Sequence, residues 1–259
     1  MYTAPTMKKI KQAGKEVKIL QSSEDFEKIF VPSLAIDAVI IGFHQNELKV
    51  LLLQYENTGL FALPGGFVKK TENVNDAAKR VLFERTGLQN IYLRQFYLFG
   101  DITRYDPATL RTIMVGKGNL PTGDHWLLRR FVSIGYFALV DYTKVIPAPD
   151  TLADSCNWYH LSDLPVLILD HQQIIEKAIQ TLQLNLDRKL IGFNLLSETF
   201  TMGELQNLYE TVLGKKLLRT SFQRKMQHLG ILEHVDIKWT GGAHKAPYLY
   251  RFKLPEKEA

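Results

Sequence analysis

The feature that most constrains the fold is one contiguous segment, Gly66–Leu88, with the sequence GFVKKTENVNDAAKRVLFERTGL. It follows β-rich runs, opens on a glycine turn and continues into an amphipathic helix predicted over about Val74–Arg85. Gly66 permits a tight approach of the turn to that helix, and Gly87 predicts its C-terminal end. This order of elements predicts a sheet covered by helices.

Positions 81, 84 and 85 share one face of the predicted helix, because successive residues rotate by about 100°. Glu84 is acidic, Val81 has no ligand atom, and Arg85 carries a permanent positive charge. This face therefore offers a single carboxylate, that of Glu84. Arg85 is either an anion-binding group or a solvated helix residue.

The segment resembles the Nudix box of MutT-like hydrolases. The residues that match the pattern are Gly66, Glu72, Arg80, Leu82, Glu84, Gly87 and Leu88. Val81 and Arg85 replace two metal-binding Glu of that pattern. A hard cation such as Mg²⁺ needs several oxygen ligands, so the resemblance implies weak metal binding with Glu84 as the one candidate ligand. The resemblance implies a Nudix-like domain that is catalytically degenerate, with no catalytic residue beyond the remnant Glu84. It also implies structural roles for Gly66, Glu72, Arg80 and Gly87, with Glu72 and Arg80 tying the loop to the helix.

Composition restricts the class of protein. The 259 residues are 46% hydrophobic and 23% charged, which is ordinary for a globular domain. The single cysteine, Cys156, excludes an internal disulfide and is expected to pack in the core. The apolar runs are too short to span a bilayer, and the first residues lack a secretory signal. We therefore expect a cytoplasmic protein with no membrane partner.

The net charge of +5 is concentrated at the C-terminal end. Residues Lys215–Ala259 contain ten Lys and Arg against four Asp and Glu, a net charge of +6, so the preceding residues together carry −1. A basic patch confined to one small region is typical of nucleic-acid binding. The alternative is a solvated surface that keeps the protein soluble.

The chain divides into three predicted regions. Residues 1–32 form an N-terminal arm that is helical or partly ordered, residues 33–184 a Nudix-like effector-sensing domain, and residues 185–259 a winged helix DNA-binding domain. A segment at about 108–130 has no clear period and is interpreted as an inserted loop. The fold class is α+β, an N-terminal α/β/α sandwich with a mixed sheet followed by a C-terminal winged helix-turn-helix.

The winged helix prediction rests on helix signals near the C-terminal end. Thr201 and Glu204 form a capping box, and Thr220 and Gln223 form a second one. Gly230 ends the second helix, and ILEHVDI and YLYRFK then form two strands. Two short helices followed by a hairpin with a Gly-rich basic tip predict a winged helix-turn-helix.

A recognition helix places its N-terminal side chains against base edges in the major groove. The second helix and the hairpin tip therefore supply the candidate DNA-binding residues, which are Arg219, Ser221, Gln223, Arg224, Lys225, His228, His244 and Lys245. The alternatives are a protein-binding winged helix or a basic helix in solvent.

The segment from IGFNLLSETF to MQHLGILE resembles the C-terminal domain of Nudix-related transcriptional regulators. The resemblance implies a regulator that binds double-stranded operator DNA as a homodimer, senses a small-molecule effector and requires no cofactor. The candidate effector-binding residues are Arg85, Asp101 and Arg104. The resemblance implies ADP-ribose as the effector in a branch that regulates NAD metabolism and a sugar in branches that regulate sugar use. The FGD segment around Asp101 resembles the sugar-responsive group and favours a sugar or sugar phosphate, whereas Arg85 favours an anion.

Two other functions remain open at this level. One is a Mg²⁺-dependent Nudix hydrolase of ADP-ribose or another nucleoside diphosphate derivative, in which Glu84 binds the metal with help from Glu72 or Asp101. The other is an interaction module whose basic end binds an acidic protein. Mg²⁺-dependent turnover distinguishes the first, and salt-dependent DNA binding distinguishes the second.

Overall fold

The computed structural model describes residues 7–12, 15–20, 23–55, 57–89, 91–118, 121, 123–187, 195–238 and 246–253. Their strands and helices are β1 Met7–Gln12, β2 Lys15–Leu20, α1 Ser23–Ile29, β3 Phe30–His44, β4 Glu47–Tyr55, β5 Leu60–Ala62, β6 Gly65–Lys69, α2 Val74–Thr86, β7 Leu93–Phe99, α3 Pro107–Gly116, β8 Val132–Val140, β9 Ser155–His160, α4 His171–Asn185, β10 Phe200–Thr201, α5 Met202–Leu213, α6 Arg219–Leu229, β11 Leu232–Ile237 and β12 Tyr248–Phe252.

A seven-stranded mixed sheet forms the centre of the first domain. Strands β5, β4, β3, β8 and β7 lie side by side in that order, β6 pairs with β3, and β9 pairs with β4. The long central strand β3 runs parallel to β8, while its pairs with β4 and β6 are antiparallel. The predicted mixed sheet is therefore confirmed.

Alternate residues of β3 face opposite sides of the sheet, as the period of a strand requires. Val39 and Ile41 pack in the same buried cluster as Ile174 and Ile175 of α4. On the other face, Ala38 and Ile40 belong to a second cluster that contains Leu82 of α2. Helices therefore cover both faces of the sheet, and the box helix α2 lies on the face opposite α4.

The second domain is a winged helix. Helices α5 and α6 pack on a small antiparallel sheet in the order β10–β12–β11. Its buried residues, including Leu205, Leu208 and Phe222, continue the cluster that begins between the large sheet and α4. One apolar core thus runs through α4 from the first domain into the second, and the fold predicted for the chain is confirmed.

The predicted helical character of the N-terminal arm is wrong for residues 7–12 and 15–20. This region forms two antiparallel strands, β1 and β2. The sequences KKIK and KEVKI alternate Lys with β-branched residues, and this period of two favours strands over a helix. Only the short helix α1 that follows is helical in the described part of the arm.

The interpretation of segment 108–130 as an unpatterned loop is also wrong. Helix α3 begins at Pro107, where Oδ1 of Asp106 accepts hydrogen bonds from the backbone N–H of Ala108 (3.1 Å) and Thr109 (3.2 Å). An aspartate at the N-cap followed by proline is a common helix start. A 3₁₀ turn at Trp126–Leu128 follows, and its three residues are buried.

The first predicted capping box is confirmed, because Thr201 Oγ1 accepts from Glu204 N and the Glu204 carboxylate accepts from Thr201 N. The second, of Thr220 and Gln223, is wrong. Helix α6 already begins at Arg219, and its N-cap residue, Leu218, makes no side-chain cap.

None of the described helices is long and apolar enough to cross a membrane.

Candidate functional site

The turn between β6 and α2 is held by an ion pair. Arg80 donates from Nε to Glu72 Oε2 (3.0 Å), and from Nη2 to Glu72 Oε1 (2.6 Å) and to the carbonyl oxygen of Phe67 (2.8 Å). Glu72 also accepts from the backbone N–H of Lys69 at 2.9 Å. These bonds favour the carboxylate, so the pKa of Glu72 lies below its ordinary value, with Arg80 the main cause. The pair ties the loop to the helix.

The two box glycines occupy positions that restrict a side chain. A Cβ on Gly66 would lie 2.6 Å from Cγ2 of Val81, so the turn approaches the helix closely at this point. Gly87 ends α2 with φ of 70°, in the left-handed region that favours glycine. Val81 is therefore a buried packing residue beneath the turn.

The helix face that holds Mg²⁺ in the Nudix pattern does not fit the metal here. Glu84 faces Arg80, whose Nη1 lies 3.3 Å from its Oε1. Val81 is buried and offers no oxygen, and Arg85 adds a further cation. Among the described residues, no three His, Cys, Asp or Glu side chains are grouped so that they could hold a metal ion. Glu84 is thus engaged with an arginine in this structure.

A cavity of about 370 Å³ opens beside the box helix. Its walls come from the start of β3, from β6, from the segment after α3 and from the start of α4. Most of the lining is apolar, and the aromatic residues in it are Phe30, Tyr55, Phe67, Trp126 and Phe131. Arg80, Glu84 and Arg85 of α2 line the same cavity, so it combines an aromatic wall with charged side chains of that helix.

The lining also includes a buried cluster of charged and polar residues. Arg104 is 6% exposed and lies between two carboxylates. Its Nη2 is 3.1 Å from Asp37 Oδ2, and its Nε is 3.0 Å from Asp170 Oδ2. It also donates to the carbonyl oxygen of Phe131 at 2.9 Å. Arg104 therefore lines the cavity. Its charge is compensated by the two carboxylates, so it holds the surrounding elements together.

His171 completes this cluster at the start of α4. Its Nδ1 accepts a hydrogen bond from the backbone N–H of Leu63 at 2.9 Å, so the ring proton is assigned to Nε2, which lies 3.8 Å from Asp37 Oδ1. Burial lowers the pKa of His171, although Asp37 and Asp170 oppose that shift. A neutral imidazole is the form that the structure favours.

The other two predicted effector residues differ in position. Arg85 lines the cavity, where Nη1 donates to the carbonyl oxygen of Pro149 (3.1 Å) and the buried Nε has no hydrogen-bond partner among the described residues. Asp101 lies outside the cavity lining. Its carboxylate accepts from N and Oγ1 of Thr103 and caps the 3₁₀ turn at Ile102–Arg104. The structure therefore does not bring Asp101 to this cavity: it is an exposed capping residue, and its role in effector binding stays a prediction.

The sequence interpretation missed most of the cavity wall. Trp126 lies in the segment that we interpreted as an inserted loop, and Phe67 lies inside the box itself. The available signal was the apolar run WLL between charged residues in GDHWLLRR, which favours burial over an exposed loop.

Helix α6 presents the predicted DNA-binding side chains to solvent. Phe222 and Met226 anchor its inner face in the core. Arg219, Ser221, Arg224, Lys225 and His228 are exposed, and Gln223 is partly exposed. The remaining two candidates, His244 and Lys245, lie outside the described residues.

The turn before α6 is held by Glu210 of α5. Its carboxylate accepts from the backbone N–H of Leu217 (3.0 Å) and from Nζ of Lys216 (2.7 Å). These contacts lower the pKa of Glu210 to about 2, with Lys216 the largest cause. This tertiary contact explains why α6 begins at Arg219 without a capping side chain.

Helix α4 contacts both candidate sites. Asp170 and His171 at its start belong to the buried cluster at the cavity. At its other end, Gln183 donates to the carbonyl oxygen of Val212 in α5 at 2.9 Å. Just beyond, Asp187 lies 2.7 Å from Nζ of Lys225 on α6. The cavity and the exposed basic helix are therefore joined by one helix.

Comparison with known proteins gives two family matches. Residues 32–182 match the model described as NUDIX domain, and residues 192–252 match the model described as NrtR DNA-binding winged helix domain. The chain is 31% identical over 232 residues to the ADPR responsive transcriptional repressor NtrR of Acinetobacter baylyi, covering 87% of this chain and 84% of that protein.

Two further similarities cover the whole fold and the first domain respectively. The crystal structure of Shewanella oneidensis NrtR complexed with a 27mer DNA aligns with a TM-score of 0.64 and 30% identity, covering 85% of this chain and 93% of that one. An ADP-ribose pyrophosphatase of Methanocaldococcus jannaschii is 33% identical over 148 residues, which is 56% of this chain and 72% of that protein.

Proposed function

We propose, because the chain belongs to the family that joins a NUDIX domain to an NrtR DNA-binding winged helix domain, that it is an effector-responsive transcriptional repressor. It binds operator DNA through α6 and senses ADP-ribose in the cavity beside α2. The observation that carries this proposal is the shared architecture: a cavity lined by Arg85, which stands where the Nudix pattern has a carboxylate, and joined by α4 to an exposed basic helix.

ADP-ribose suits the cavity better than a free sugar does. A diphosphate is anionic, and the guanidinium group of Arg85, which lines the cavity, is suited to binding phosphate. The aromatic wall offers surface for a planar base, which a simple sugar lacks. The sugar hypothesis depended on Asp101 and Arg104, and the first lies outside the cavity while the second is compensated by Asp37 and Asp170.

The DNA contacts divide into two kinds. Arg224 and Gln223 on α6 are suited to base edges, since Arg pairs with guanine and Gln with adenine in the major groove. Lys215 and Arg219 stand at the approach to the helix and are suited to phosphates. Because one winged helix reads one half-site, we propose that a homodimer binds a two-fold symmetric operator.

The coupling between effector and operator is a shift between two arrangements of the winged domain relative to the first domain. Helix α4 is suited to carry it, because its start meets residues that line the cavity and its end contacts α5 and α6. Neither operator binding nor effector binding needs a metal in this scheme, and no cofactor is proposed.

The test is a titration of the protein against labelled DNA from upstream of its own gene, at several salt concentrations, in EDTA, and with unrelated DNA as competitor. We expect specific binding that survives the competitor and is released by ADP-ribose. Binding that the competitor abolishes contradicts a specific site on this DNA. Specific binding that ADP-ribose leaves unchanged contradicts the effector assignment and leaves the repressor intact.

The hydrolase alternative is tested on the same preparation. ADP-ribose is incubated with the protein and Mg²⁺, and release of AMP is followed. We expect no turnover above the buffer blank, because the face formed by Val81, Glu84 and Arg85 lacks a carboxylate set. Sustained release of AMP would support the hydrolase instead.

A further inference from the structure

Trp126 occupies a particular place in the cavity wall. The residue is 9% exposed, and one face of its indole is covered by Phe26, with ring centroids 4.1 Å apart and an interplanar angle of 8°. Phe67 contacts the same ring edge-on, with centroids 5.1 Å apart. These contacts fix the ring, and its remaining surface lines the cavity.

The indole Nε1–H of Trp126 is buried, yet it donates to no acceptor in the part of the chain that the structure describes. Buried tryptophan N–H groups usually find a partner, because leaving a donor unsatisfied in an apolar environment costs free energy. Two polar side chains that line the same cavity are engaged with other groups. His125 Nδ1 accepts from the backbone N–H of Leu127 at 3.2 Å, and Asp37 accepts from Arg104 at 3.1 Å.

We infer that Trp126 determines effector specificity by donating its indole N–H to a ring nitrogen of the effector's base, an inference that rests on the proposed function. A purine base presents what the wall needs, which is a flat apolar surface and uncharged in-plane acceptors. A diphosphate is better matched by the charged guanidinium group of Arg85. The segment around Trp126, which the sequence presented as an insertion, thus supplies the base subsite.

The test compares two conservative variants of the full-length protein. Trp126→Phe keeps an aromatic ring against Phe26 and removes only the donor with part of the ring area. Trp158→Phe is the matched control, because Trp158 Nε1 is also buried without a partner among the described residues but does not line the cavity. Trp158 packs instead beside Tyr142, with ring centroids 5.8 Å apart.

Isothermal titration with ADP-ribose should give a Kd about tenfold higher for Trp126→Phe than for wild type and unchanged for Trp158→Phe. Titration with ADP, which keeps the base but lacks the terminal ribose, should show the same ratio. An unchanged Kd in Trp126→Phe overturns the inference. The assignment to the base is overturned if Trp126→Phe raises the Kd for ADP-ribose but not the Kd for ADP. It is also overturned if ADP does not bind to the wild-type protein.

A wild-type protein that fails to bind ADP-ribose removes the proposed effector and the inference with it, which distinguishes that failure from an unchanged Kd in the variant. A second measurement detects the Trp126 indole in the wild-type protein, so it does not require Trp126→Phe to fold. The wild-type chain has three Trp, so three indole N–H signals are expected in a ¹⁵N spectrum, and Trp158→Phe and Trp239→Phe assign the third to Trp126. That signal should move downfield on adding ADP-ribose, and a signal that stays in place contradicts the hydrogen bond.

Discussion

The cavity beside α2 and the exposed helix α6 both carry arginines, but the surroundings of these side chains differ. In the cavity, Arg104 contacts two carboxylates and Arg80 contacts Glu72 and Glu84. On α6, Arg219 and Arg224 are exposed and form no ion pair with another described residue. The compensated arginines hold the fold together, whereas the uncompensated ones are available to phosphates and bases.

The largest expected effect is on stability and concerns Arg104, the buried arginine of this comparison. Arg104→Ala leaves Asp37 and Asp170 buried without their shared counterion, which should lower the free energy of unfolding by about 3–5 kcal/mol. Urea denaturation at pH 7 measures it. Arg129→Ala is the control, because Arg129 makes an exposed pair with Glu27 and should cost at most about 1 kcal/mol. Equal losses in the two variants would contradict the structural role of Arg104.

The opposite behaviour is expected on α6. Arg224→Ala should weaken operator binding by about 1–3 kcal/mol and relax preference at one base position, while leaving the free energy of unfolding within about 0.5 kcal/mol of wild type. Fluorescence anisotropy with operator and unrelated DNA checks this. Arg129→Ala removes the same charge in the first domain and should leave specificity intact. Unchanged specificity in Arg224→Ala removes that residue from base readout.

This comparison also shows what the sequence could predict. Local signals predicted local structure well: the Thr201 capping box and the glycines that end α2 and α6 act within one helical turn. The fold of the first domain was predicted from the spacing of the box residues, and that of the second domain from the periodicity of its helices. These features depend on neighbours along the chain, which the sequence displays directly.

The buried cluster could not be predicted in this way. Arg104 contacts Asp37 and Asp170, which are 67 and 66 residues away, and no local pattern marks the three as partners. The second capping box failed for a related reason, because Glu210 of α5 holds the turn before α6 and sets its start. The start of α3, by contrast, was marked by Asp106 and Pro107, and that local signal was overlooked.

A smaller effect concerns pH. Burial lowers the pKa of His171, so between its folded pKa and the unfolded value of about 6.5 the unfolded chain binds more protons. The free energy of unfolding should therefore fall as pH drops from 7 towards 5.5, by at most about 1.4 kcal/mol per pH unit from this residue. His171→Asn keeps an acceptor for the Leu63 N–H and should flatten the profile. An identical slope in that variant excludes His171 as the source.

The smallest effect tests where the two regions meet. Among the α6 candidates, only Lys225 has a carboxylate partner in the described part of the chain. That partner, Asp187, lies just beyond the end of α4, the helix that starts at the cavity. The pair is partly exposed, so it is worth at most about 1 kcal/mol. Asp187→Asn should therefore raise affinity for operator and unrelated DNA alike, by up to about fivefold, because it frees Lys225 and removes a negative charge near the phosphates. Glu27→Gln removes the same charge far from α6 and should change nothing.

A double-mutant cycle separates these two causes of the Asp187→Asn effect. If Asp187 acts by occupying Lys225, the gain should disappear when Asp187→Asn is introduced into Lys225→Ala, since no ammonium group remains to be released. A gain that persists unchanged in the Lys225→Ala background would mean that Asp187 acts through general repulsion of DNA. In the first case the end of α4 competes with DNA for a side chain of the recognition helix, so a movement of α4 at the cavity has a direct means of changing DNA affinity.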